Sequence, residues 1–139
     1  MTQSKKRIEE IIFEERISYD SRHAWVKIED HGAIIGISDY AQDQLGDLVF
    51  VELPSIGDVF GRGEVFGQVE SVKSVSSLIM PIGGTVTAIN EELEDDPELL
   101  NRSPYSQGWI IKVEPKSLEE LEELLTSRQY ADYLKTTEG

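Results

Sequence analysis

Apolar residues along most of the chain come in short runs, each closed by glycine, proline or a cluster of small polar residues. Trp25-Val26-Lys27-Ile28 stops at Glu29-Asp30-His31-Gly32, and Ala33-Ile34-Ile35-Gly36-Ile37 follows, a pattern that predicts a β-hairpin. Ser38 to Gly46 predicts one or two helical turns, with Ser38 as N-cap and Gly46 as the stop. Further strands are predicted over Leu48–Leu53, closed by Pro54, then over Val59–Phe60 and Glu64–Glu70. Leu78–Met80, closed by Pro81, Thr85–Ile89 and Trp109–Val113 complete the set. So many short strands with glycine turns predict a sandwich or barrel-like all-β core.

Helical spacing is confined to the ends and to one insert. Ile8, Ile11 and Ile12 among Lys, Arg and Glu predict a short amphipathic helix or partly ordered arm over Ser4–Arg16. Asp96 to Asn101 predicts a helix capped by Asp96, with Pro97 at its first position. Ser117-Leu118-Glu119-Glu120 spells a capping box, and Leu118, Leu121, Leu124 and Leu125 form one apolar face. Ser127 restarts a last turn or two through Tyr130, Tyr133 and Leu134. The expected organisation is one domain: an extension over 1–18, a β-sandwich over 19–115 and a helical segment over 116–139.

The chain has 139 residues, the size of one ordinary domain with a real core. Thirteen Lys plus Arg against 27 Asp plus Glu leave a net charge of −14. That balance argues against nucleic acid and anionic membranes as partners, and favours proteins with basic docking faces. Zero cysteines exclude disulfides, thiolate metal sites, a cysteine nucleophile and a redox dithiol made by the protein's own side chains. No apolar run reaches membrane-spanning length, and Met1 to Arg7 leads into an acidic amphipathic stretch, so a soluble, cytoplasmic protein is expected.

Most candidate chemistry dissolves on inspection. Gly61-Arg62-Gly63 with Gly67 has the wrong spacing for a dinucleotide loop and is followed by a strand, so turns explain the glycines. His23 and His31 converge with no other ligands at metal-site spacing and are expected in surface or hairpin roles. The acidic run Glu91 to Asp96 lacks the alternating ligands of a calcium loop; a solvated loop feeding the Asp96 cap accounts for it. Asn101-Arg102-Ser103 is a glycosylation sequon by spelling only. No serine sits in a nucleophile elbow, and the pattern is not that of an enzyme.

One stretch is different. Two β-type runs flank Ser71-Val72-Lys73-Ser74, which places Lys73 at or near a tight hairpin tip. A solubilising turn lysine is the plain explanation. The sharper one is an attachment point, because a carried cofactor needs a long tether on a rigid knob.

With its surroundings the stretch resembles a known family. Phe66-Gly67-Gln68-Val69 running into Glu70-Ser71-Val72-Lys73 resembles the lipoylation hairpin of the glycine cleavage system H protein family. Ile35 to Gln42, Gln44-Leu45-Gly46-Asp47 and Val49 to Pro54 resemble that family's first half. Ile89-Asn90-Glu91 with Leu93, Asp96 to Leu99, Asn101, Ser103-Pro104-Tyr105 and Gly108-Trp109 resemble its second. The resemblance implies a mostly β fold: a lipoyl-domain-like β-sandwich (barrel-sandwich hybrid) with short helices and a C-terminal helix. It implies lipoic acid in amide linkage on Lys73, and a carrier that is not itself an enzyme. The arm would shuttle an aminomethyl group from glycine decarboxylase (P-protein) to aminomethyltransferase (T-protein), with dihydrolipoyl dehydrogenase (L-protein) reoxidising the dithiol. It also implies that Glu70, Ser71 and Val72 help a lipoylating enzyme recognise the hairpin, and that Tyr40, Ala41, Gln44 and Leu45 form a surface where the arm rests.

The pattern departs from the family's at Met80 to Gly84, in the Ser4–Ser18 extension, and at two places that bear on the cargo. Ala24 stands where the family usually has Glu before the tryptophan, and Ser77 where it commonly has Asp. These departures leave lipoylation untouched and keep other uses of the arm open. One is an H-like lipoate-binding protein in heterodisulfide-reductase-like sulfur oxidation, another a lipoyl relay, and a third an unmodified β-sandwich adaptor.

Overall fold

In a computed structural model, which describes residues 7–30 and 32–138, nine strands build two antiparallel sheets. The strands are β1 (Ser18–Tyr19), β2 (Ala24–Glu29), β3 (Gly32–Ile37), β4 (Leu48–Glu52) and β5 (Val59–Phe60), followed by β6 (Val65–Ser71), β7 (Val75–Ile79), β8 (Gly84–Ile89) and β9 (Ile111–Pro115). The larger sheet runs β1-β2-β3-β9-β8-β5 and the smaller β4-β6-β7; neither closes on itself. Helix α1 (Asp39–Leu45) links β3 to β4, α2 (Glu92–Asp95) and α3 (Leu99–Arg102) link β8 to β9, and α4 (Ser127–Glu138) ends the chain. The mostly β sandwich with a C-terminal helix is the expected architecture.

Alternation along the strands fills the space between the sheets. Ile35, Val86, Ile111 and Val113 from the larger sheet meet Val51, Val69 and Leu78 from the smaller, and Met80, Ile82 and Leu100 close the gaps. A side chain on Gly67 would overlap the backbone carbonyl of Glu52, so only glycine lets β6 lie this close to β4. A second cluster caps the larger sheet, where Tyr19, Trp25, Tyr40, Tyr130 and Leu134 pack with Ile11 and Ile17. The Tyr19 and Tyr130 rings stack with centroids 4.4 Å apart, which docks α4 onto β1.

Local signals were overridden at several places. The amphipathic helix expected over Ser4–Arg16 is reduced to a single 3₁₀ turn, Ile8–Glu10; Ser4 to Lys6 lie outside the described residues. Tertiary contacts hold the stretch after it out of helix: Ile12 N–H donates to Asp39, and the Tyr105 hydroxyl donates to the Ile12 carbonyl. Asp96 is not an N-cap; it ends α2 as its C-cap. The acidic run itself forms α2 around buried Leu93; Asp96 serves α3 through its carbonyl, which accepts from Leu99 N–H, and through its carboxylate, which pairs with Arg102. The capping box does not close either. Ser117 Oγ accepts from Glu119 N–H, Glu120 reaches across to Gly83 N–H, and Leu118 to Glu123 winds as 3₁₀ helix with Leu118 exposed. Leu121 and Leu124 face one core cluster and Leu125 the other, so the four leucines do not form one face. The last strand starts at Ile111 and not at Trp109, which packs half-buried against the second cluster with Lys112 over its ring.

Candidate functional site

The β6–β7 hairpin ends in the two-residue loop Val72-Lys73, with Glu70 paired to Val75 and Ser71 N–H donating to the Ser74 carbonyl at 2.8 Å. Among the described residues only His23 and Asp30 combine a side chain with positive φ, so this loop does not use the left-handed turn that two-residue hairpins favour. The Ser71 hydroxyl compensates. It is buried at the base of the turn and accepts the N–H groups of Lys73 and Ser74, each at 3.2 Å. Two backbone donors of the turn are therefore satisfied locally. Lys73 is exposed, and no carboxylate among the described residues pairs with its ammonium.

Opposite the hairpin lies the end of α1. Ser38 caps its start, with Oγ accepting Ala41 N–H, and Gly46 ends it at φ 81°. A Cβ on Gly46 would meet Lys73 Cε at 3.7 Å, so the lysine stem runs past the bare end of this helix. Asn101 on α3 holds that end in place. Its amide donates to the Gly46 carbonyl and to Gln42 Oε1, and its Oδ1 accepts Leu48 N–H.

Between α1 and the β7 edge is a cleft of roughly 240 Å³. Ile37, Tyr40, Leu45 and Leu78 give it apolar walls, and Gln44, Ser76 and Ser77 give it polar ones. The volume is below the roughly 300–1,000 Å³ of sites for drug-sized ligands and suits one small head group. No carboxylate lines it. Its ionised wall is Arg22, tied to buried Asp20 by contacts of 2.9 and 3.0 Å. Burial works to raise the Asp20 pKa, but the hydrogen bonds and charge of Arg22 outweigh it and leave the carboxyl lowered.

His23 lines the same cleft with φ 81°, a backbone region uncommon for side-chain residues. The Asp20 turn imposes it: Asp20 carbonyl accepts His23 N–H at 2.7 Å, and Ala24 carbonyl accepts Asp20 N–H. Its Nδ1 lies 2.8 Å from the Tyr130 hydroxyl, which is 2.7 Å from Ser38 Oγ. Burial raises the Tyr130 pKa, with the Ser38 bond acting in the opposite direction. A polar chain thus runs from the N-cap of α1 through Tyr130 of the C-terminal helix to the cleft wall.

The structure brings the sequence-selected residues together in part. Lys73 is in the hairpin loop beside Glu70, Ser71 and Val72, and Tyr40, Ala41, Gln44 and Leu45 line the neighbouring cleft. Of the two departures, Ser77 lines the cleft, whereas Ala24 is buried on β2 opposite Ile37. His23 is not in a plain surface role but wired into the aromatic cluster; His31 lies outside the described residues. Arg22, Ile37 and Ser76 were missed as cleft residues, and Asn101 and Tyr130 as their supports. Pairing Glu70 with Val75 across the loop would have turned Ser76 inward with Val69; nothing local points to Asn101 or Tyr130. No cluster of metal-ligating side chains occurs among the described residues. No described helix is long and apolar enough to cross a membrane.

Known proteins share both sequence and shape with this chain. Residues 17–137 match the family profile described as Glycine cleavage H-protein. A glycine cleavage system H protein of Halothermothrix orenii is 46% identical over 124 residues, covering 89% of this chain and 97% of that one. One from Bacillus velezensis is 56% identical over 112 residues, covering 81% and 88%. The crystal structure of a glycine cleavage system H protein from Mycobacterium marinum superposes with a TM-score of 0.80 at 38% identity, covering 86% of this chain and 96% of that one. By sequence over nearly all its β core, and by fold, the chain belongs to the glycine cleavage H-protein family.

Proposed function

We propose that this protein carries a lipoyl group in amide linkage on Lys73 and serves as the carrier of the glycine cleavage system. The observation that supports it is the hairpin itself: an exposed lysine, unpaired among the described residues, in a two-residue loop braced by buried Ser71. The surroundings fit the group. Gly46 leaves the stem unobstructed, and the cleft between α1 and β7 offers apolar walls and room for one small ring. Bound there, lipoate supplies a disulfide that opens to a dithiol and holds cargo, chemistry this cysteine-free chain cannot supply.

The chain's own residues hold and present the arm. Ser71 fixes the direction in which the stem leaves the sheet, Asn101 fixes the helix end it passes, and Tyr40, Ala41, Gln44 and Leu45 offer a resting surface. Glu70, Ser71 and Val72 present the hairpin to the lipoylating enzyme. Glycine decarboxylase, aminomethyltransferase and dihydrolipoyl dehydrogenase then meet the same arm in turn, and a net charge of −14 suits basic docking faces on each. With all working sulfurs on the arm, no protein thiol competes by exchange.

The test is intact mass with peptide mapping after incubation with lipoate–protein ligase, lipoate and ATP. One lipoyl addition is expected on the Lys73 peptide, and none in Lys73→Arg, which keeps the wild-type melting temperature. Incubation of the oxidised, disulfide form with glycine decarboxylase and glycine should then add an aminomethyl group to that peptide, as the disulfide opens and carbon dioxide leaves. A lipoyl addition that persists in Lys73→Arg refutes the attachment site. A loaded arm that never gains the aminomethyl mass, beside a control H protein that does, refutes the cargo.

A further inference from the structure

The face of the smaller sheet turned away from the core carries an apolar group at the Lys73 end, set apart by a polar row from Val65 and Ile79 at the other end. Phe50 on β4, Glu70 on β6 and Val75 on β7 are cross-strand partners, so their side chains share one row of that face. Phe50 is 49% exposed, Val75 59%, Val49 at the β4 bulge 55%, and Val72 beside Lys73 80%. Two residues further along, the next outward row is Glu52, Gln68 and Ser77, all polar and exposed. Between the rows Val51 and Val69 point into the core, so the outward apolar residues are not there to fill it. Exposed apolar residues gathered at one end of one sheet face mark a contact surface.

We propose that Val49, Phe50, Val72 and Val75 form the docking surface for the enzyme that acylates Lys73, a proposal that rests on Lys73 as the lipoyl site. An enzyme that acylates Lys73 brings its reacting centre to Nζ, one lysine stem from the loop. It therefore covers what flanks the loop. Enzymes that act on the far end of a loaded arm have no such requirement. In the step itself the unprotonated Nζ attacks the carbonyl of an acyl-adenylate. The N–C bond forms, the bond to the adenylate breaks, and the nitrogen gives up a proton. On the other side of the stem lies the end of α1, which leaves the sheet face as the open approach. Glu70 sits between Phe50 and Val75, with Glu52 beyond, so the complementary surface is an apolar recess with a Lys or Arg set between two pockets.

The test measures kcat/KM for lipoylation of the full-length unmodified protein by lipoate–protein ligase, lipoate and ATP, followed by intact mass. Phe50→Ser combined with Val75→Ser should lower kcat/KM about tenfold or more, as the loss of two central apolar anchors does. Val59→Ser, an equally exposed valine on β5 at the far sheet, should leave it unchanged. Phe50→Leu should retain most of the rate, and Glu70→Lys, which alters no core contact, should lower it without moving the melting temperature. Wild-type kcat/KM in the double variant overturns the proposal, as does an equal loss in Val59→Ser. Normal lipoylation with impaired loading by glycine decarboxylase also overturns it and gives the surface to that enzyme. A wild-type protein that takes no lipoyl mass on the Lys73 peptide instead overturns the attachment site.

Discussion

Replacing Tyr130 by Phe removes one oxygen from the centre of the support behind the cleft, and its consequences differ with pH. Tyr130 and Ser38 are fully buried, and the lost hydroxyl lies 2.7 Å from Ser38 Oγ and 2.8 Å from His23 Nδ1. Leaving a buried hydroxyl short of a partner costs about 2 kcal/mol at neutral pH. For a chain of this size that lowers the melting temperature by about 8 °C. Above neutrality a second effect enters. Burial raises the pKa values of Tyr19, Tyr105 and Tyr130, so the fold keeps each phenol neutral while the unfolded chain ionises it. Their contribution is complete below the ordinary tyrosine value near 10 and is lost as pH rises above it. Tyr105 and Tyr130 then each remove about 1.4 kcal/mol per pH unit, roughly 3 kcal/mol for the two, and Tyr19 acts in the same direction. The Phe variant has one fewer such group, so its deficit should shrink from about 2 kcal/mol at pH 7 to about 0.6 kcal/mol at pH 11. Urea unfolding followed by tryptophan fluorescence between pH 7 and pH 11 reads both numbers. A deficit that stays constant across that range refutes the buried-phenol argument, and a wild-type melting temperature at pH 7 refutes the hydrogen-bond chain.

Three further outcomes follow from single contacts. Gly67→Ala drives a methyl group into the Glu52 carbonyl and should cost about 3 kcal/mol in urea unfolding, with amide exchange rising along β4 and β6. Ser71→Ala removes the acceptor for two turn amides; stability should fall by only about 1 kcal/mol, while hydrogen exchange at Lys73 and Ser74 accelerates and lipoylation slows. Asp20→Asn removes a carboxyl whose pKa is lowered in the fold by Arg22. The wild-type advantage from it is present above the ordinary carboxyl range and is lost as pH falls through the lowered value, so the variant's acid-unfolding curve should be flatter below about pH 4.

The parts of the site written in contiguous sequence were legible, and the parts assembled across the chain were not. Period-two runs broken by glycine defined the strands, and the four residues Ser71 to Ser74 sufficed to place Lys73 in a loop, because a hairpin depends on its own turn and two flanking runs. The Ser38 cap and Gly46 stop were equally local and both form. Local logic failed where a side chain had a better partner at a distance. Glu120 leaves its capping box for Gly83, and the isoleucines at 11 and 12 give up helical spacing because Asp39 and Tyr105 take the backbone N–H and carbonyl of Ile12. The cleft belongs to this second kind. Its wall at His23 depends on Tyr130, 107 residues away, and its helix end on Asn101, which as a string of letters looked like a glycosylation sequon. Neither has a pattern of its own, since each makes one set of hydrogen bonds that exists only after both sheets are in place. This division suits a carrier. The modified hairpin is recognised as a short local motif, so it is built from local rules. The surface that shelters the arm must hold its shape while successive enzymes engage it, and distant supports converging on α1 give it that rigidity.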